Sequence, residues 1–149
     1  MAAIGKIIDS NPVVGGRTTN QILDTWKDGI FLKKEDITRN IKGLRSPQIG
    51  AVYAVLSHWE ISSDPATVVM PTGTGKTEVM LSLLIAATCS KTMIIVPTDA
   101  LRTQISNKVA SLGLLSNPQF GLIKETVLKP IVGVMSHRPC SAEEAIAFM

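Results

Sequence analysis

The sequence predicts an α/β fold with a parallel sheet carrying helices on both faces. Three observations predict it. From residue 66 onward, short apolar runs alternate with amphipathic helical stretches, the order that makes parallel βαβ units. The apolar runs, "ATVVM", "KTMIIVP" and "KPIVGVMS", are continuous rather than alternating, as suits strands covered on both sides. The turn between the first run and the next helix, "PTGTGKT", is too specific in composition for a plain polar connection.

The opening segment, residues 1–43, differs in texture and is expected to form a small helical prefix carrying no identifiable chemistry. "NPVVGGR" is rich in turn residues. "TTNQILDTWKDG" reads as a short helix: Thr18 or Thr19 caps it, Ile22, Leu23 and Trp26 form one stripe, and Gly29 ends it. "LKKEDITRN" is polar and expected to be exposed.

The main domain is expected over residues 44–149. In "LRSPQIGAVYAVLSHW", Ser46 is placed to cap, Pro47 suits the first helical position, and Ile49, Val52, Leu56 and Trp59 share a face. The loop "EISSDP" leads to a strand at 66–70, the glycine turn, and a helix from about 75 to 88. A second strand covers 91–97. The helix "DALRTQISNKVASLG" has Leu101, Ile105, Val109 and Leu112 in register and Gly113 as its stop. A third strand spans 129–136. "SAEEAIAFM" opens another helix, with Ser141 as cap and glutamates in its first turn.

Composition sets limits. The chain has 149 residues, 45% apolar but only 4% aromatic, so aliphatic side chains must build the core. Net charge is +3 and the pI about 9.0, which permits an anionic partner without demonstrating one. Two cysteines, Cys89 and Cys140, without a CxxC spacing, point to reduced structural thiols in a cytoplasmic protein. No signal peptide opens the chain. Residues 79–96 approach the ~20-residue length of a membrane span. "CSK" interrupts them, so they read as helix, turn and strand, and no membrane partner is expected.

The glycine turn carries the chemistry. Between a strand and a helix, "PTGTGKT" is a phosphate-binding loop: Gly73 and Gly75 let the backbone curl around an anion, and the helix aims its positive end at the same point. Pro71, Thr72 and Thr74 complete the cradle. Lys76 supplies a cation for the β- and γ-phosphates, and the Thr77 hydroxyl a ligand for Mg²⁺ held through ATP. Glu78 closes the segment and is expected to face solvent in the first turn. Met70 stands where GxxxxGK[ST] has its first glycine, and a plain glycine-rich turn is the alternative reading. Lys76, the hydroxyl after it and the flanking elements favour phosphate.

"MPTGTGKTE" resembles motif I of superfamily 2 helicases and translocases, in particular the DEAD/DEAH-like group that includes restriction-enzyme motor subunits. In that group the first position is often not glycine. "LRSPQ" is similar to the family's upstream adenine-recognising motif, with Arg45 and Gln48 as its R-x-x-Q, and "IIVPTDALRTQ" to motif Ia, which touches the nucleic-acid backbone. The three motifs occur in the family's order and spacing, and together with their flanking helices they span about Leu44 to Gly113, roughly half of the chain. The resemblance implies a P-loop NTPase of RecA-like fold, with ATP and Mg²⁺ as cofactors and nucleic acid, DNA more than RNA, as partner. Lys76 and Thr77 are then the catalytic residues of the loop. A glutamine amide matches the N6 and N7 edge of adenine, so Gln48 would select ATP; an ordinary helix-start glutamine is the alternative. Thr98 and Arg102 would hold backbone phosphates, against simple capping by Thr98 or Asp99 and a solvated Arg102. Asp99 is also a rival for the metal-organising acid, but it lacks an adjacent glutamate and suits a helix cap.

No apolar strand ends in an Asp-Glu pair, and there is no room for the family's second domain with its arginine fingers. The chain is therefore expected to be the ATP-binding, N-terminal part of a nucleic-acid motor, without hydrolysis of its own. The strand at 66–70 is expected to need the rest of such a motor, or another partner, to cover its edge. Two other classes compete: a small P-loop kinase or nucleotide switch, and a non-catalytic interaction module that keeps the loop for its shape.

Overall fold

The computed structural model describes residues 5–11, 18–136 and 141–143. In chain order these form strand β1 (Gly5–Ile8), helices α1 (Thr19–Trp26), α2 (Ser46–Ile61), α3 (Lys76–Ala86) and α4 (Asp99–Ser111), a 3₁₀ turn η1 (Gly113–Ser116) and strand β2 (Val132–Met135). The helix expected from Ser141 lies for the most part outside the described residues.

The helices begin where local chemistry says they should. Thr18 caps α1: its Oγ1 accepts the Gln21 amide at 3.3 Å, while Gln21 Oε1 accepts the Thr18 amide at 2.9 Å, so two orphan donors are satisfied reciprocally. The start of α2 is shifted by one residue from expectation. Arg45 is the N-cap, and Ser46 and Pro47 form the first helical positions. The buried stripe of α2 is Gln48, Val52 and Val55, whereas Trp59, placed on the inner face by periodicity, is 46% exposed. Helix α4 stops at Leu112, which takes the left-handed conformation at φ 59°, one residue before Gly113.

One core cluster gathers Ile22 and Trp26 of α1, Leu81, Leu84 and Ile85 of α3, Val109 of α4, Leu115 of η1, and Leu44, Leu112, Leu122 and Val127 between elements. Helix α1 is tied to this mass by polar bonds as well. Trp26 Nε1 donates to the Leu128 carbonyl at 2.8 Å, and Thr25 Oγ1 accepts the Leu128 amide at 3.0 Å. A smaller cluster joins Val52, Met70 and Val79, bringing α2, the start of the glycine loop and α3 together.

The sheet differs from expectation. Its described part has two strands, β1 and β2, paired antiparallel with Gly5 opposite Met135 and Ile8 opposite Val132. The strand expected at 129–136 is present, but its partner is the N-terminal segment. Stretches 66–70 and 91–97 run without helix or ladder, and no parallel sheet is shown among the described residues. The physical reason is that a strand satisfies its backbone only on a neighbour, and neither stretch meets one here. Val69 and Ile95 accordingly remain 90% and 87% exposed. Among the described residues no helix is long and apolar enough to cross a membrane; the run at 79–96 resolves into part of α3, a turn and an extended stretch.

Candidate functional site: the glycine loop at the start of α3

The loop at 71–75 is tied together at one atom. The Pro71 carbonyl accepts from the Thr74 amide (3.4 Å), the Thr74 hydroxyl (2.6 Å) and Lys76 Nζ (3.0 Å). Both glycines take positive φ, 80° at Gly73 and 86° at Gly75, and Gly75 is the N-cap of α3. An L side chain rarely adopts that conformation, so the curl depends on glycine at both positions. A Cβ on Gly73 would meet open space, whereas one on Gly75 would run into the Gln48 amide nitrogen.

The first helical bond at this end is Val79 N to Gly75 O, 3.3 Å. The amides of Lys76, Thr77 and Glu78 therefore have no acceptor within the helix and lie at its positive end. Lys76 is exposed, with its ammonium folded back on the loop, and Thr77 stands half-buried beside it. An open, curled backbone, three amides at a helix start, a mobile cation and a hydroxyl fit a nucleotide's phosphates with a metal ion carried on them.

Two residues of α2's start reach this loop. Arg45 Nη1 donates to the Gly73 carbonyl at 3.2 Å. Gln48 is 4% exposed; its Oε1 accepts the Arg45 amide at 2.8 Å and its Nε2 donates to the Gly75 carbonyl at 3.3 Å. The chain thus brings Arg45, Gln48, Pro71, Thr72, Gly73, Thr74, Gly75, Lys76 and Thr77 together, although Pro71 lies 23 positions after Gln48 in sequence. Both ends of the Gln48 amide are engaged by the protein, so reading a base requires exchange of one of those bonds.

Glu78 does not face solvent as expected. Its side chain is only 15% exposed and pairs with Lys108 of α4 at 3.7 Å. Sequence reasoning missed Lys108; spacing along α4 carries no sign of a partner 30 residues upstream.

Thr98 and Arg102 sit on the first turn of α4. Thr98 Oγ1 caps the helix by accepting the Leu101 amide at 3.3 Å, and Arg102 pairs with Asp99 at 3.1 Å. Asp99 occupies the first helical position, which accounts for its charge there without a metal.

Next to the loop, an apolar groove of about 360 Å³ runs between α3 and the extended stretches; Trp59, Val68, Met70, Met80 and Ile94 line it. Cys89 also borders it, and burial pushes the Cys89 thiol above its usual range, with a weaker opposing hydrogen bond from Thr92.

A family model described as Type III restriction enzyme, res subunit, matches residues 41–129, more than half of the chain and all of the loop just described. No curated protein and no solved structure matches the chain.

Proposed function

The chain belongs to the family of type III restriction enzyme res subunits, within helicase superfamily 2, and from that premise we propose that it is the ATP-binding, N-terminal part of the first RecA-like domain of a DNA translocase. The observation that carries the proposal is the loop itself: Gly73 and Gly75 at positive φ leading directly into α3 with Lys76 at its first position.

In this reading the amides at the start of α3 and the Lys76 ammonium bind the phosphates. Lys76 leaves the Pro71 carbonyl to do so, a short swing for an exposed side chain. Thr77 gives its hydroxyl to Mg²⁺ brought in with ATP. Arg45 and Gln48 hold the loop's carbonyls from α2, and Gln48 trades its bond with Gly75 for the adenine edge. ATP supplies the anhydride whose cleavage drives movement; the residues described here bind and orient it. Thr98 and Arg102 hold nucleic-acid phosphates from the start of α4, without reading bases.

The test is isothermal titration of Mg·ATP against the purified chain. A charge-assisted contact contributes ~1.5–3 kcal/mol, so Lys76→Ala is expected to weaken binding about tenfold or more. Equal affinity in variant and parent would overturn the proposal. The ratio of ATP to GTP affinity reads Gln48 separately, because loss of its support for Gly75 weakens both nucleotides alike. Gln48→Ala is expected to bring that ratio close to one.

A further inference from the structure

Glu78 places a negative charge where an anion is to bind. It stands in the first turn of α3, and its carboxylate curls back towards the N-cap: a Cβ on Gly75 would lie 3.0 Å from Glu78 Oε2. The missing side chain of Gly75 makes room for both Gln48 Nε2 and this oxygen. The other oxygen, Oε1, is 3.7 Å from Lys108 Nζ, with the two side chains 15% and 40% exposed. Lys108 comes from the last turn of α4, a different helix from the one that bears the loop.

A carboxylate in a first helical turn is favourable for the helix end in isolation. It also consumes the positive potential that a phosphate would use, and at a poorly hydrated position it repels that phosphate across a low effective dielectric. A cation pinned on it removes the conflict. We infer that the Glu78–Lys108 pair is a charge screen for the phosphate loop, and that Lys108 is a positioning residue through which α4 raises nucleotide affinity without touching the nucleotide. The inference rests on the reading of the loop as a nucleotide site.

Titration of Mg·ATP against the parent chain and five variants tests it: Lys76→Ala, Lys108→Ala, Lys108→Arg, Glu78→Gln, and the pair Glu78→Gln with Lys108→Ala. Lys108→Ala leaves the carboxylate bare and is expected to weaken binding about threefold to tenfold, the scale of one partly screened charge. Lys108→Arg keeps the pair and is expected to bind as the parent does. Adding Glu78→Gln to Lys108→Ala removes the bare charge and is expected to restore the parent affinity or exceed it. A structural role for Lys108 would instead leave the double variant as weak as the single one. Absence of Lys76-dependent binding overturns the nucleotide reading and this inference together. Lys76-dependent binding that Lys108→Ala does not weaken, or that the double variant does not restore, overturns this inference alone.

Discussion

On one flank of α3, Leu81 and Ile85 are sealed against Leu44, Leu112, Leu115 and Leu122, all at most 1% exposed. Towards the glycine loop and the extended stretches the packing is sparse. Val79 meets Met70 and Val52, but Val68, Met93 and Ile94 are 42%, 67% and 37% exposed. The two regions are similarly oily in sequence: "LSLLIAA" on the helix, "ATVVM" and "KTMIIV" beside it. The difference teaches that apolar content creates a demand for burial, while secondary structure decides whether it can be met locally. A helix arrives with its backbone already bonded and needs only side-chain neighbours. An extended stretch must first find another backbone.

The largest expected effect lies on the sealed flank. Leu81→Ala should destabilise the fold by about 2–5 kcal/mol, since deletion of a fully buried leucine leaves a cavity in a core that closes only partly. Denaturant unfolding measures it; a loss below 1 kcal/mol would mean that this flank is as loosely packed as the other.

Gly75→Ala probes the junction of the two regions. Positive φ and the collision with Gln48 are expected to cost about 1–3 kcal/mol, through strain that the glycine loop cannot relieve. Unchanged stability would show that the loop refolds freely and that Gln48 does not fix it.

Ile95→Thr is expected to change stability least, by about 0.5 kcal/mol or less, because a side chain 87% exposed loses almost nothing on becoming polar. Light scattering of the same variant should fall relative to the parent, as an unpaired apolar stretch invites association. Destabilisation comparable to that of Leu81→Ala would place Ile95 in a buried sheet and erase the contrast between the regions.

Much of the helical half was legible beforehand. The sequence narrows the cap of α1 to Thr18 or Thr19 and that of α4 to Thr98 or Asp99, and Thr18 and Thr98 take the role in the fold. These caps and the curl at Gly73 and Gly75 rest on contacts within a few residues along the chain. Element ends moved by a residue where two local solutions compete, as at Arg45 and Ser46, or at Leu112 and Gly113. The inner face of α2 was misjudged because hydropathy favours Trp59 over Gln48. In the folded chain the glutamine is buried since both ends of its amide find backbone partners, one of them on the distant loop.

What the sequence by itself determined is therefore helices α1 to α4, to within a residue or two at their ends, and the curl of the glycine loop. Each closes its hydrogen bonds within about four residues, and no distant segment has to be in place first. What only the tertiary structure decided is the pairing. Strand β2 takes β1 as its neighbour across the whole length of the chain, Gln48 settles on Gly75, and Glu78 meets Lys108. These partners lie 27 residues or more apart, and nothing in the local pattern of either member specifies the other. A strand backbone, a buried amide and a half-buried carboxylate can each be satisfied by many segments. Only the packing of α3 against α2 and α4 brings Gln48 and Lys108 within reach of the loop, while β2 meets β1 beside α4.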